Sequence, residues 1–103
     1  MTYVTATILQ AVASGYRYGF DVIDATGLPG GTVYPALRRL EDAGHLSASW
    51  EKESIARAEP RPPRRYYEMT RAGRGALAAA AKRYRLADQA ALVKGRAPKT
   101  SRA

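Results

Sequence analysis

The stretch from Gly31 to Leu46, GTVYPALRRLEDAGHL, constrains the fold of this chain more strongly than any other. At about 100° of rotation per residue, its apolar residues gather within about 40° of Val33 on one side of a helix. Because a glycine often follows the last turn, we predict a helix over Gly31 to Ala43 that stops at Gly44. The predicted buried side consists of Val33, Leu37, Leu40 and Gly44, flanked by Ala36 and Ala43.

The opposite side of this helix is predicted to contact an anionic, grooved partner. It consists of Tyr34, Pro35, Arg38 and Asp42, with Thr32 and Arg39 at its flanks. A proline is tolerated near a helix start, where few backbone N–H groups have helical partners. The alternative is that Tyr34 covers the edge of the core and that Arg38 pairs with Asp42 four residues later.

The net charge of the chain favours the interpretation that this side of the helix contacts an anionic partner. Among 103 residues, 17 Lys and Arg face 9 Asp and Glu, which gives a net charge of +8 and a pI near 10.2. Such a balance suits nucleic acid or an anionic membrane surface. With 46% hydrophobic residues, the length predicts one globular domain with a modest core.

Several functional classes are disfavoured by the residues that the chain lacks. It has no cysteine and only one histidine, His45, so we expect no disulfide, no metal site and no cofactor. We expect no enzyme, because no Ser or Thr has a credible His partner and no Gly-rich phosphate loop is followed by Lys. No apolar run reaches the roughly 20 residues of a membrane span. No signal peptide is evident either, which predicts a cytoplasmic protein.

Two further helices are predicted before this segment, and a hairpin after it. Apolar spacing predicts a helix over 2–14 and another over Tyr18–Thr26, with a Gly/Pro turn before the third. Alternation predicts strands over Leu46–Glu51 and Arg64–Met69, joined by a basic loop over Lys52–Pro63. On the apolar face of the first strand, Trp50 is predicted to pack against the helices rather than to line an effector pocket. Tyr67 is predicted to be a core residue and His45 a surface residue.

A last helix is predicted from Arg71 to about Val93, with Thr70 as its N-cap. Its small residues predict a dimer face, although the helix could instead fold back onto its own domain. Residues 94–103 are predicted to form a disordered basic tail, with a DNA-grasping arm as the alternative. The fold class is therefore mainly α (α+β): a winged helix-turn-helix domain over 1–70, a dimerisation helix over 71–93, and the tail.

Several short motifs along these predicted helices and strands resemble those of PadR-family transcriptional regulators. The similar stretches are Tyr18-Gly19-Phe20, GTVYPALRRLEDAGHL, Trp50-Glu51, RRYYEMT and Gly73. The resemblance covers roughly Met1 to Leu92. It implies a homodimeric repressor on a palindromic double-stranded DNA operator, often released by a small-molecule effector. It also implies that the third helix enters the major groove, that the hairpin wing contacts backbone or minor groove, and that the last helix pairs with its dimer mate.

Two sets of site residues follow. The predicted DNA contacts are Thr32, Tyr34, Pro35, Arg38, Arg39, Arg61, Arg64 and Arg65. The predicted dimer contacts are Val4, Ile8, Leu77, Ala80, Ala81, Tyr84 and Ala91. The alternative function is a non-specific nucleic-acid-binding or protein-interaction winged-helix module.

Overall fold

The computed structural model of the protein describes residues 1–52, 57–59 and 61–85. Their elements are helix α1 (Tyr3–Ala13), helix α2 (Gly19–Thr26), helix α3 (Gly30–Asp42), strand β1 (Leu46–Trp50), strand β2 (Arg65–Met69) and helix α4 (Arg71–Tyr84). This order confirms the predicted winged helix-turn-helix. Arg57 and Ala58 are helical, where the sequence predicted loop. Within the described ranges, no helix combines the length and apolarity that crossing a membrane would require.

The core lies where α1, α2 and α3 meet. Its largest fully buried side chains are Ile8, Leu9, Val22, Val33, Leu37 and Leu46. The predicted buried side of α3 is correct for Val33, Ala36, Leu37 and Leu40. It is wrong for Ala43 and Gly44, which are exposed. Ala43 already caps the helix and Gly44 has a φ of +80°, so the chain leaves the helical path before these residues reach the core.

The two strands form an antiparallel hairpin in which Leu46 pairs with Met69 and Trp50 with Arg65. A third segment joins this sheet: Tyr18 forms a bridge with Tyr66, and the Tyr67 N–H donates to the Arg17 carbonyl at 2.8 Å. This segment, just before α2, was not predicted. Tyr67 is buried as predicted.

The prediction that Trp50 packs against the helices is wrong, because its side chain is 62% exposed. Trp50 is the last residue of β1, whereas Leu46 at the start of the strand is buried. Its ring contacts the Arg65 guanidinium, 5.4 Å from the ring centroid. The apolar face of β1 is therefore covered at one end only.

Helix α4 folds back onto α1 of its own chain. Thr70 is the N-cap, as predicted, and accepts a hydrogen bond from the Gly73 N–H at 2.9 Å. The described part of the helix ends at Tyr84, where Arg85 is left-handed (φ 54°) and its N–H bonds to the Ala81 carbonyl. The remainder of the predicted helix, 86–93, lies outside the described residues. Ala91 and the predicted tail, 94–103, lie outside the described residues.

The small-residue side of α4 meets α1 closely. Ala80 packs against Ala6, and the half-buried side chains around this contact are Leu77, Ala81 and Tyr84. The Tyr84 hydroxyl donates to the Met1 carbonyl at 3.0 Å, and its ring meets Tyr3 edge-on at 5.5 Å between centroids. This packing is the fold-back alternative that the sequence left open.

Candidate nucleic-acid interface

The outer side of α3 is exposed and carries an unpaired cation. Tyr34 is 49% exposed, and Pro35 and Arg38 are also exposed. Arg38 makes no ion pair or hydrogen bond with any residue that the structure describes, including Asp42. Its guanidinium is therefore available to an external acceptor.

Tyr34 also fixes the junction between α2 and α3. Its ring lies directly over Gly19, the first residue of α2, where a Cβ atom would collide with the ring. The ring also lies 3.5 Å from the position that a Cβ of Gly30 would take. Gly27, with a φ of +75°, ends α2 and lets the chain turn into α3. Tyr34 thus covers the edge of the core with one side and exposes the other.

The two predicted contacts at the flanks of α3 are less open. Thr32 is half-buried. Arg39 is exposed but extends toward α1, where its Nη2 donates a long hydrogen bond of 3.5 Å to Thr5 Oγ1. Arg38 and Arg39 are consecutive in sequence, and the two have different surroundings.

The three predicted wing arginines also have different surroundings. Arg65 pairs with Glu41 of α3 at 2.7 Å, and the side chain of Arg61 is 17% exposed and bound to Glu51. Arg64 is exposed, and its guanidinium lies 4.6 Å from the centroid of the Phe20 ring at the start of α2. Of the three, Arg64 alone makes no ion pair with a carboxylate in the described part of the chain.

Glu51 accepts hydrogen bonds from several groups at the base of the wing, a role that could not be seen in the sequence pattern. Its carboxylate accepts two hydrogen bonds from Arg61, at 2.6 and 3.0 Å. It also accepts from the Arg64 backbone N–H at 3.2 Å and from the Tyr18 hydroxyl at 3.3 Å. The Glu51 N–H donates to the Arg64 carbonyl at 2.7 Å. The only signal in the sequence was the Trp50-Glu51 motif.

The hydrogen bonds from Arg61 hold the pKa of Glu51 at about 2, well below its ordinary value, even though burial of the side chain opposes this shift. The carboxylate is consequently ionised at neutral pH. Burial, together with the nearby negative charge of Glu51, raises the pKa of Tyr18, so that its hydroxyl keeps the proton it donates. The Glu51 carboxylate is thus the charged acceptor of this network, and its donors are Arg61, the Tyr18 hydroxyl and the Arg64 backbone N–H.

A cavity of about 670 Å³ opens where the start of α1 meets the ends of α3 and α4. It is lined by Met1, Thr2, Thr5, Arg39, Leu40, Ala43, His45, Arg83 and Tyr84. His45 is half-buried rather than on the surface, and its Nδ1 atom has no hydrogen-bond partner. Within the described ranges, no three His, Asp or Glu side chains form a group that could hold a metal ion.

Residues 8–79 match the sequence model of the transcriptional regulator PadR-like family. No curated protein gives a significant sequence match. The fold is similar to a PadR family transcription regulator from Clostridium difficile (TM-score 0.69, 22% identity, 85% of this chain and 93% of that one). It is also similar to a transcriptional regulator from Clostridium thermocellum (TM-score 0.67, 22% identity, 84% of each chain). A PadR family regulator from Eggerthella lenta gives a TM-score of 0.61 at 22% identity, over 84% of this chain and 78% of that one.

Proposed function

Since the chain belongs to the PadR-like family of transcriptional regulators, we propose that it is a repressor that binds a palindromic operator as a homodimer and is released by a small-molecule effector. The family assignment supports regulation of transcription through DNA binding, and such regulators are generally not enzymes. The observation that carries the proposal is the unpaired Arg38 on the open side of α3, the second helix of the helix-turn-helix.

The proposed DNA contacts centre on α3 and extend to the wing. The major groove of B-DNA is about 12 Å wide and admits one helix, whose exposed side chains then reach base edges. We assign this role to the open side of α3, with Tyr34, Pro35 and Arg38 at its centre. Thr32, Arg39, Arg61 and Arg65 stay predicted contacts, although Arg61 and Arg65 are each bound to a carboxylate in the free protein.

The wing contact is tested through its salt dependence. Arg64→Ala is expected to weaken binding about equally for operator and random duplex. It should also reduce the slope of log K against log salt by about 0.9, since one phosphate contact is lost. Arg65→Ala is the matched control, because the guanidinium of Arg65 is paired with Glu41, and its slope should change less. A slope that is unaltered by Arg64→Ala would remove Arg64 from the backbone contacts.

The homodimer is proposed because one α3 reads only a few base pairs. Two copies related by a two-fold axis place two such helices in successive major grooves, about 34–36 Å apart, and therefore favour a palindrome. At the start of α1, three large apolar side chains are exposed at 37–43%, namely Met1, Tyr3 and Val4. We propose that they belong to the dimer surface. Ile8 is fully buried and offers no surface in this conformation, whereas the Leu77 side of α4 already contacts α1.

Val4→Glu is expected to give a folded monomer, because a charge in an apolar interface must be desolvated. Operator affinity should then fall toward the non-specific level, while weak binding to random duplex persists. Ala13→Glu is the control, since Ala13 is exposed and lies about 180° away around α1. Sedimentation at micromolar concentration is the check. A wild-type monomer of 11.2 kDa with full operator affinity would refute the dimer.

The effector is supported by the cavity of about 670 Å³, which lies in the size range of small-molecule sites. It adjoins both α3 and the proposed dimer surface, so a ligand there could change the separation of the two α3 helices. The alternative function, a non-specific module, predicts binding that follows charge alone. Footprinting on the DNA upstream of its own gene separates the two, because only a sequence-specific regulator protects a discrete palindromic site.

A further inference from the structure

A buried carboxylate at the base of a DNA-binding wing needs an explanation. Glu51 adds a negative charge close to Arg61 and Arg64, and a negative charge near phosphates weakens DNA binding through repulsion. Its side chain is only 6% exposed, and burying a charge is costly unless it is fully paired. In the free protein the four hydrogen bonds to the Glu51 carboxylate offset the cost of its burial, whereas in the DNA-bound protein the repulsion of phosphate remains.

The contacts of Glu51 join three separate parts of the chain. Glu51 directly follows β1, whereas Arg61 and Arg64 lie in the segment that leads into β2. Tyr18 belongs to neither strand and is the N-cap residue of α2. The Glu51 carboxylate thus connects the two sides of the hairpin next to the ends of β1 and β2. Through Tyr18 it also connects the hairpin to the helix-turn-helix. The Tyr18–Tyr66 bridge supports the same junction.

We propose that Glu51 is the positioning residue of the wing: its carboxylate, bound by Arg61, Tyr18 and the Arg64 backbone, holds the Arg64 guanidinium beside the start of α2, where it meets DNA phosphate. The inference rests on the proposed DNA-binding function. In this arrangement Arg61 acts through Glu51, a role that replaces the direct DNA contact predicted for Arg61 from the sequence. The stacking of Arg64 on Phe20, at 4.6 Å, fixes the far end of the same side chain.

Whether Glu51→Ala strengthens or weakens binding to DNA separates a positioning role from a purely electrostatic one. If Glu51 only contributed charge, Glu51→Ala would strengthen binding to DNA, because it removes repulsion and frees Arg61. A positioning role predicts the opposite: a loss of about tenfold, as expected when one charge-assisted hydrogen bond to phosphate is lost. Glu68→Ala is the matched control. Glu68 is a half-exposed carboxylate on β2, 3.9 Å from Arg17, and its removal should leave affinity unchanged or slightly higher.

The role of Arg61 is tested in a double-mutant cycle. Arg61→Ala should weaken binding about as much as Glu51→Ala, and the double variant should lose little more, because both changes break the same unit. Glu51→Gln keeps the shape and one acceptor oxygen, so its affinity should lie between those of wild type and Glu51→Ala. If Arg61→Ala lowers the salt slope equally in both backgrounds, Arg61 touches phosphate itself and the proposal is overturned.

A second readout needs no DNA. Hydrogen exchange of the backbone amides at positions 51 and 64 should accelerate in both Glu51→Ala and Arg61→Ala. Exchange in the core of α1 should stay slow, which reports that the domain is folded. Unchanged exchange at both amides would overturn the proposal. If the wild type binds no duplex at all, the proposed function fails, yet the exchange data still decide whether Glu51 holds the wing.

Discussion

Gly73→Ala is expected to destabilise the domain by about 2–3 kcal/mol. A Cβ atom at Gly73 would collide with the carbonyl oxygen of His45 and come within 2.9 Å of its carbonyl carbon. That carbonyl is backbone and cannot rotate away. Since it also accepts from the Thr70 N–H, at 3.2 Å, moving it strains the N-cap of α4. These losses exceed the gain of about 1 kcal/mol that alanine brings to a helix.

Gly75→Ala is the matched control, two residues further along the same helix. Nothing lies within 4 Å of the position its Cβ would take, and the residue is exposed. This change should stabilise the domain by about 0.8–1.0 kcal/mol through helix propensity alone. Urea unfolding followed by circular dichroism measures both midpoints. Similar midpoints for the two variants would mean that α4 does not lie against the His45 turn in solution.

Arg38→Ala is expected to weaken operator binding by about 1–3 kcal/mol if its guanidinium reads a base edge, and to relax specificity at that base pair. The physical reason is that the unpaired guanidinium breaks no internal contact when it binds DNA. If Arg38 contacts phosphate instead, affinity for operator and random duplex should fall equally, and the salt slope should change.

Arg39→Ala is the control for charge, because it removes the same cation from the next residue of the same helix. Since Arg39 extends toward Thr5 of α1, its loss should reduce operator affinity less than the loss of Arg38. Fluorescence anisotropy titrations at one fixed salt concentration compare the variants directly. An Arg38→Ala protein that binds the operator as tightly as wild type would exclude Arg38 from the interface.

The sequence predicted α3 well because its signals were local. The spacing of Val33, Leu37 and Leu40 marks one side of a helix, and the glycine that follows marks its end. The same reasoning failed for Trp50. Alternation tells which face of a strand is apolar, but it does not tell how far along the strand the covering helices extend.

The contacts of the wing could not be predicted for a different reason. The pairing of Glu51 with Arg61 and with Tyr18 depends on the path of the chain between them, and no periodicity records that path. The small residues of α4 likewise indicated that the side of the helix with Ala80 packs closely against another helix. They could not decide whether that helix belongs to a second copy of the protein or is α1 of the same chain, since small residues permit either contact.

Contacts at the base of the wing determine where this protein can tolerate insertions. The cross-strand pair of Trp50 and Arg65, followed by the contacts of Glu51 with Arg61 and Arg64, closes the base of the wing from both sides. An insertion or deletion between these contacts leaves their partners in place, because the residues that form the base lie on either side of the change. The length of the chain can therefore vary at that point between related regulators without disturbing the frame that carries α3.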